Sequence, residues 1–138
     1  MNAQKKEQYH NIGLLLLRIT IGTLIIFHGI ANMSSDYAFI KQVLQGYHIP
    51  SFVAYGVFVG EIIAPILIII GEKVRGNDLI IAFNFLVAIL LAHSSGIFAL
   101  NQYSGWAIEL QLLYLFGATT LFFTGPGNYA LSTDSKWD

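Results

Sequence analysis

Residues 13–29 read GLLLLRITIGTLIIFHG, a run in which a single arginine and a single histidine interrupt fifteen uncharged residues. Extended to Ile12–Ala31 it is 20 residues long, about the length an α-helix needs to cross the roughly 30 Å hydrocarbon core of a bilayer. Three further runs have this character: Phe52–Ile70, Leu79–Phe98 and Ala107–Phe123. Backbone N–H and C=O groups at membrane depth must be satisfied within the segment, so runs of this length predict helices. The expected fold is therefore all-α: an integral membrane four-helix bundle, built as a single domain over residues 1–138.

Composition points the same way. Of the 138 residues 55% are hydrophobic and 11% charged, against about 25% charged in ordinary soluble domains, and the mean hydropathy is +0.62. Lipid, the first expected partner, has to cover much of such a surface. Seven basic residues against eight acidic ones leave a net charge of −1. No basic field is available for nucleic acid. There is no cysteine, which removes disulfides, thiolate nucleophiles and iron–sulfur ligation; redox chemistry here needs a borrowed cofactor or a redox partner.

Lys5 and Lys6 precede the first run as in a secretory signal, but signal cores span only about 7–15 residues. The first run is longer, contains Arg18 and lacks an A-x-A-like site, so it is expected to remain in the protein. Four crossings place the N-tail, the connection between the second and third runs, and the C-tail on one side. That side carries Lys5, Lys6, Lys73, Arg75 and Lys136, and the other only Lys41. The bias predicts a plasma-membrane protein with both termini cytoplasmic. The longest connection, residues 32–51, lies outside; Ile40, Val43, Leu44 and Tyr47 recur at helical spacing after Ser35 or Asp36 as N-cap, which predicts a short amphipathic helix in the first outer loop.

Ionisable residues within or beside membrane spans are functional candidates. Arg18, His28, Glu61, His93 and Glu109 are in that position. Counted at about 1.5 Å per residue from the outer ends of the runs, Glu61 lies roughly 14 Å deep and Arg18 roughly 20 Å, which predicts an Arg18–Glu61 ion pair. Pro65 cannot donate to the Glu61 carbonyl, so a kink is expected there. His28 and His93 lie at similar depth; one such pair without a local motif is weak ground for a haem, and a metal site using Glu109 has no spacing to support it. A quinone pocket uses the same residues differently: His28, His93 and Glu61 exchange protons, while Arg18, Glu109, Trp106 and Asn84 contact the ligand. Trp106 and Tyr103 also suit an interfacial aromatic belt, and Asn84 and Gln111 interhelical hydrogen bonding.

The order GLLLLRITIGTLIIFHG, then GEIIAPILIIIGE at 60–72, a late histidine in the third run, and GWAIELQLLYLFGATTLFFTGPGNYALS at 105–132 resembles the DoxX family. The resemblance implies a four-helix bacterial or archaeal membrane protein, with polar intramembrane residues at Arg18, His28, Glu61, His93 and Glu109. The family's relation to the small subunit of thiosulfate:quinone oxidoreductase implies quinone-linked redox work. Asn32 departs from the pattern, since a lysine is common near that position. Three functions compete: a quinone-linked redox subunit served by a soluble or membrane redox partner, a non-catalytic anchor or assembly subunit for partner enzymes, and a proton-coupled small-molecule transporter. Homo-oligomerisation is compatible with each.

Overall fold

The computed structural model describes residues 1–138 and is all-helical, without strands. Helix α1, Ala3–Ser34, is 32 residues long. It outruns the expected 12–31 at both ends because no breaker interrupts the polar approach and the Asn2 side chain caps it by accepting from the Lys5 N–H at 2.9 Å. Asp36 and Tyr37 then take left-handed backbone, φ 50° and 56°, and turn the chain into α2, Ala38–Gly46. Neither Ser35 nor Asp36 caps α2. The Asp36 carboxylate instead accepts from Lys41 at 2.9 Å and from the Tyr55 hydroxyl at 3.3 Å.

Helix α3, Ser51–Ile70, begins directly after Pro50. It is a 3-10 helix over Ser51–Gly56, a π-helix over Val59–Ile63 and an α-helix over Ala64–Ile70. The π-turn centres on Glu61 and directly precedes Pro65, whose missing N–H breaks the ordinary ladder; the Ala64 N–H bonds to the Val59 carbonyl, five residues back. Gly71 ends α3 at φ +84°, where a Cβ would stand 2.6 Å from Ala130 and from the Arg18 guanidinium.

Helix α4 is Val74–Ala92, not the expected 79–98. Its start is earlier because Asn77 and Asp78, polar residues that read as loop, are buried within it. Its end is earlier because Ser94–Gly96 form a 3-10 turn, which leaves His93 as the C-cap and Phe98 fully exposed. Helix α5, Glu109–Thr124, follows a compact loop closed by a Leu100–Trp106 bridge.

The helices pack antiparallel around Leu14, Ile21, Ile25, Ile68, Ile81, Phe85, Tyr114 and Leu121. Gly29 and Gly22 let α1 lie on α3: a Cβ at Gly29 would stand 2.6 Å from the Glu61 carbonyl oxygen, and one at Gly22 2.9 Å from that of Pro65. The C-terminal segment folds back over one end of the molecule, where the Leu131 and Ser132 N–H groups donate to the Ile70 and Gly71 carbonyls and the Asn128 N–H to Asn11. The N-terminal end of α1, the α3–α4 turn and the C-terminal segment therefore share that end. Around the bundle, Leu16, Phe27, Phe83, Leu113, Phe116 and Phe123 are 60–75% exposed, a periphery suited to acyl chains. Helices α1, α3 and α4 are each long and apolar enough to cross a membrane.

Candidate functional site

Glu61 is the residue around which polar groups gather. It is 7% exposed and projects from the π-turn of α3 between two neighbours: Asn32 of α1 donates to Oε2 at 2.7 Å, and Asn84 of α4 donates to Oε1 at 3.4 Å. No cation pairs with it; the chain's one direct ion pair is Lys41–Asp36. Gly60 makes room for the Asn84 side chain, since a Cβ there would stand 2.8 Å from it.

A cavity of about 250 Å³ opens beside this carboxylate. Eleven of its 15 lining residues are hydrophobic, among them Val57 of α3, Phe83 and Ala88 of α4, and Val43 and Leu44 of α2, which roofs it. Glu61 and Asn84 are its only polar side chains. The roof is fastened by Lys41, which donates to Asp36 and, at 2.7 Å, to the Tyr55 hydroxyl, and by Tyr37 packed edge-on against Tyr55 at 5.5 Å. The lysine's hydrogen bond and positive charge hold the Asp36 carboxyl below its usual range; the bonds from Lys41 to Tyr55 and Asp36 hold the ammonium above its own. Burial lifts the Tyr37 phenol, and the negative charge of Glu61 adds to that.

Of the expected site residues, Glu61 and Asn84 meet in this cavity. His28, on α1, does not line it; it is within electrostatic reach of Glu61 and edge-on to the Tyr114 ring at 5.6 Å. His93 lies just past the cavity's Ala92, with Nε2 3.5 Å from the Gln111 amide nitrogen. The two imidazoles thus have different neighbours. Glu109 and Trp106 are outside the cavity and organise the outer loop: Asn101 donates to Glu109, and the Trp106 indole donates to the Ile97 carbonyl at 2.7 Å.

The expected Arg18–Glu61 pair does not form. Glu61 lies beside Gly29, three turns of α1 from Arg18, and Pro65 beside Gly22, so the outer ends of α1 and α3 are not level, as the run ends assumed. Arg18 is fully buried near the other end of the bundle, where it donates to the Tyr129 carbonyl and faces Asp78, also fully buried. Arg18 and Asp78 are not in direct contact, and each retains unpartnered polar atoms. Asp78 reads as loop in the sequence because Gly76 and Asn77 stand directly before it; α4 nevertheless runs through both from Val74 and buries Asp78. In the sequence Asn32 stands out only where a lysine is common, yet it makes the shortest hydrogen bond to Glu61.

A helical membrane protein with one carboxyl set in an apolar, roofed cavity is the class these features define. The family model for DoxX matches residues 13–94, more than half of the chain, and the chain belongs to the DoxX family. The matched residues contain Arg18, His28, Asn32, Glu61, Asn84 and His93; the 105–132 stretch lies beyond them. Comparisons with curated proteins and with solved structures each found no match.

Proposed function

We propose that this protein is a multi-pass plasma-membrane subunit that binds a quinone in the cavity under α2 and exchanges protons with it through Glu61. In this reading α1, α3, α4 and α5 form a four-helix membrane bundle in one domain, with both termini cytoplasmic and α2 at the outer interface. Helix α5, at 16 residues, is short for a crossing, but it lies along α1, with Tyr114 beside His28 and Gly127, three residues past the helix end, beside Leu14.

The observation that carries the proposal is the composition of the cavity wall: hydrophobic side chains with one carboxyl and one amide on the same side. Such a wall fits a quinone, whose ring and tail are apolar and whose carbonyls accept hydrogen bonds. The Asn84 amide can donate to a ligand carbonyl, and so can Glu61 when it carries a proton. When bound, a quinone supplies a two-electron couple that takes up two protons on reduction, the electrons coming from a redox partner. Asn32 and Asn84 hold the Glu61 carboxyl in place, and the π-turn aims it at the cavity. His28, within electrostatic reach of Glu61 and not among the cavity's lining residues, is placed to replenish its proton; His93, at the cavity's edge, is a second exchange point with the outer aqueous phase. In this reading Trp106 and Glu109 hold the outer loop and Arg18 holds the packing at the other end of the bundle.

Extraction of bound lipid-soluble molecules from the purified protein, read by mass spectrometry, tests this. Wild-type protein is expected to carry quinone in stoichiometric amount, and Asn84→Leu or a cavity-filling Ala88→Phe to lose it while the helical spectrum is retained. Quinone absent from wild type, or unaffected by Ala88→Phe, would contradict the proposal and favour an anchor or assembly subunit.

A further inference from the structure

A second cavity, about 330 Å³, lies at the opposite end of the bundle, where α4 begins and α5 ends. It is lined by Arg75 of α4, Phe122 and Phe123 of α5, and Lys136 and Trp137 of the C-terminal segment. Two cations and three aromatic rings thus converge from three parts of the chain. Neither cation has an acidic partner. The Arg75 Nε is buried without a hydrogen-bond acceptor, its guanidinium lies against the Gly125 backbone, and the Lys136 ammonium stands 5.3 Å from the Trp137 ring centroid. The Trp137 carbonyl accepts from the Gly76 N–H at 3.2 Å, which ties the C-terminal wall to the start of α4.

The walls continue along the bundle as apolar stripes. On α4, Leu79, Phe83, Leu86 and Leu90 follow Arg75 at i+4, i+8, i+11 and i+15, one helix face, and are 44%, 69%, 45% and 55% exposed. On α5, Phe116 lies seven residues before Phe123, two turns along the same face, and the two are 62% and 75% exposed. A ligand that matches this arrangement has an anionic head for Arg75 and Lys136 and apolar chains for the stripes below.

We infer that this cavity binds one anionic phospholipid, its phosphate between Arg75 and Lys136 and its acyl chains along the exposed faces of α4 and α5. Guanidinium pairs well with phosphate oxygens, and basic recesses between membrane helices are suited to lipid headgroups. Tryptophan at the headgroup level fits the same depth. The headgroup site does not depend on the quinone reading: Arg75, Lys136 and Trp137 lie at the other end of the molecule, and of the acyl-chain stripe only Phe83 also lines the quinone cavity.

Native mass spectrometry of the full chain, released from nanodiscs of equal phosphatidylglycerol and phosphatidylcholine, tests it. Wild type is expected to retain one phosphatidylglycerol in preference to phosphatidylcholine. Arg75→Gln with Lys136→Gln should cut that retention at least tenfold, and Arg75→Lys should keep part of it, with helical content unchanged in all. Inorganic phosphate at millimolar concentration is not expected to displace the lipid. Equal retention of the two lipids, retention unaffected by the double change, or displacement by inorganic phosphate, which marks a site for the free anion, would each overturn the assignment. If the double variant fails to fold, Lys136→Gln alone, at an exposed side chain, is the alternate variant, and unchanged lipid preference in it would also count against the site.

Discussion

Glu61 combines burial, two amide donors and an apolar cavity, and each neighbour has a separable role. Asn32→Leu removes the 2.7 Å bond to Oε2 and leaves the carboxyl one partner short; the expected cost is about 1–3 kcal/mol of stability, measurable as a lowered unfolding midpoint in detergent, with Asn32→Asp also destabilised by the like charge it introduces. Arg18 and Asp78 face each other, both buried, without a direct bond. Each single change, Arg18→Leu or Asp78→Leu, leaves the other buried polar group without its electrostatic counterpart and is expected to lower the unfolding midpoint, while the double change should cost less than the sum. Additive losses in this double-mutant cycle would show that the two do not couple. Residue-level reading of the sequence identified Glu61, Arg18 and Asn84 as out of place in lipid, because ionisable and amide side chains stand out in apolar runs. It mispaired Arg18 because partners are set by helix register, and register depends on where each helix starts.

Among the elements, α3 and α2 do most to shape the site. Pro65 was legible as a disturbance near Glu61, but its form as a π-turn was not, since a missing N–H permits either a kink or an extra residue per turn. Gly29 is what lets α1 close on that turn. Gly29→Ala puts a methyl 2.6 Å from the Glu61 carbonyl oxygen, and the two backbones must separate; a loss of about 1–3 kcal/mol is expected, together with weaker quinone retention, whereas Gly13→Ala, with open space around it, should be neutral in both. The amphipathic pattern of residues 38–47 did predict α2, although of its expected caps Asp36 serves the fastening to α3 and Ser35 donates back to the Asn32 carbonyl of α1. That fastening has a defined pH range. The Asp36 pKa is depressed, so its contribution is present above the unfolded value near 3.8 and is lost only as pH falls through the lower folded value. The Lys41 pKa is raised, so its contribution is present below 10.5 and is lost only as pH rises past the folded value. Hydrogen exchange over Ala38–Gly46, corrected for intrinsic rates, should therefore show constant protection between about pH 5 and pH 9, within both limits. A midpoint near neutrality would show that another group holds the roof.

At the scale of the molecule, the sequence made the helical membrane character legible through composition and run length, which are averages over many residues. The places where helices ended were less legible, because buried polar residues such as Asn77 and Asp78 look like loop until their partners are known. The shared end formed by the start of α1, the α3–α4 turn and the C-terminal segment carries Lys5, Lys6, Lys73, Arg75 and Lys136, so that end is expected in the cytoplasm. A cysteine in place of Gln45, exposed on α2, should react with an impermeant maleimide in intact cells, and one in place of Lys73 only after permeabilisation; the reverse pattern would invert the molecule.

The central claim is that the cavity bounded by α2, α3 and α4, with Glu61 in its wall, is where a quinone sits. Photo-crosslinking of the full chain in membranes with an azido-quinone, followed by peptide mapping, tests it most directly. The account predicts saturable labelling confined to residues 40–44, 53–61 and 80–92, competed by unlabelled quinone and abolished by Ala88→Phe. Labelling centred on α1 and α5 around His28 and Tyr114, or labelling that neither saturates nor responds to Ala88→Phe, would contradict it.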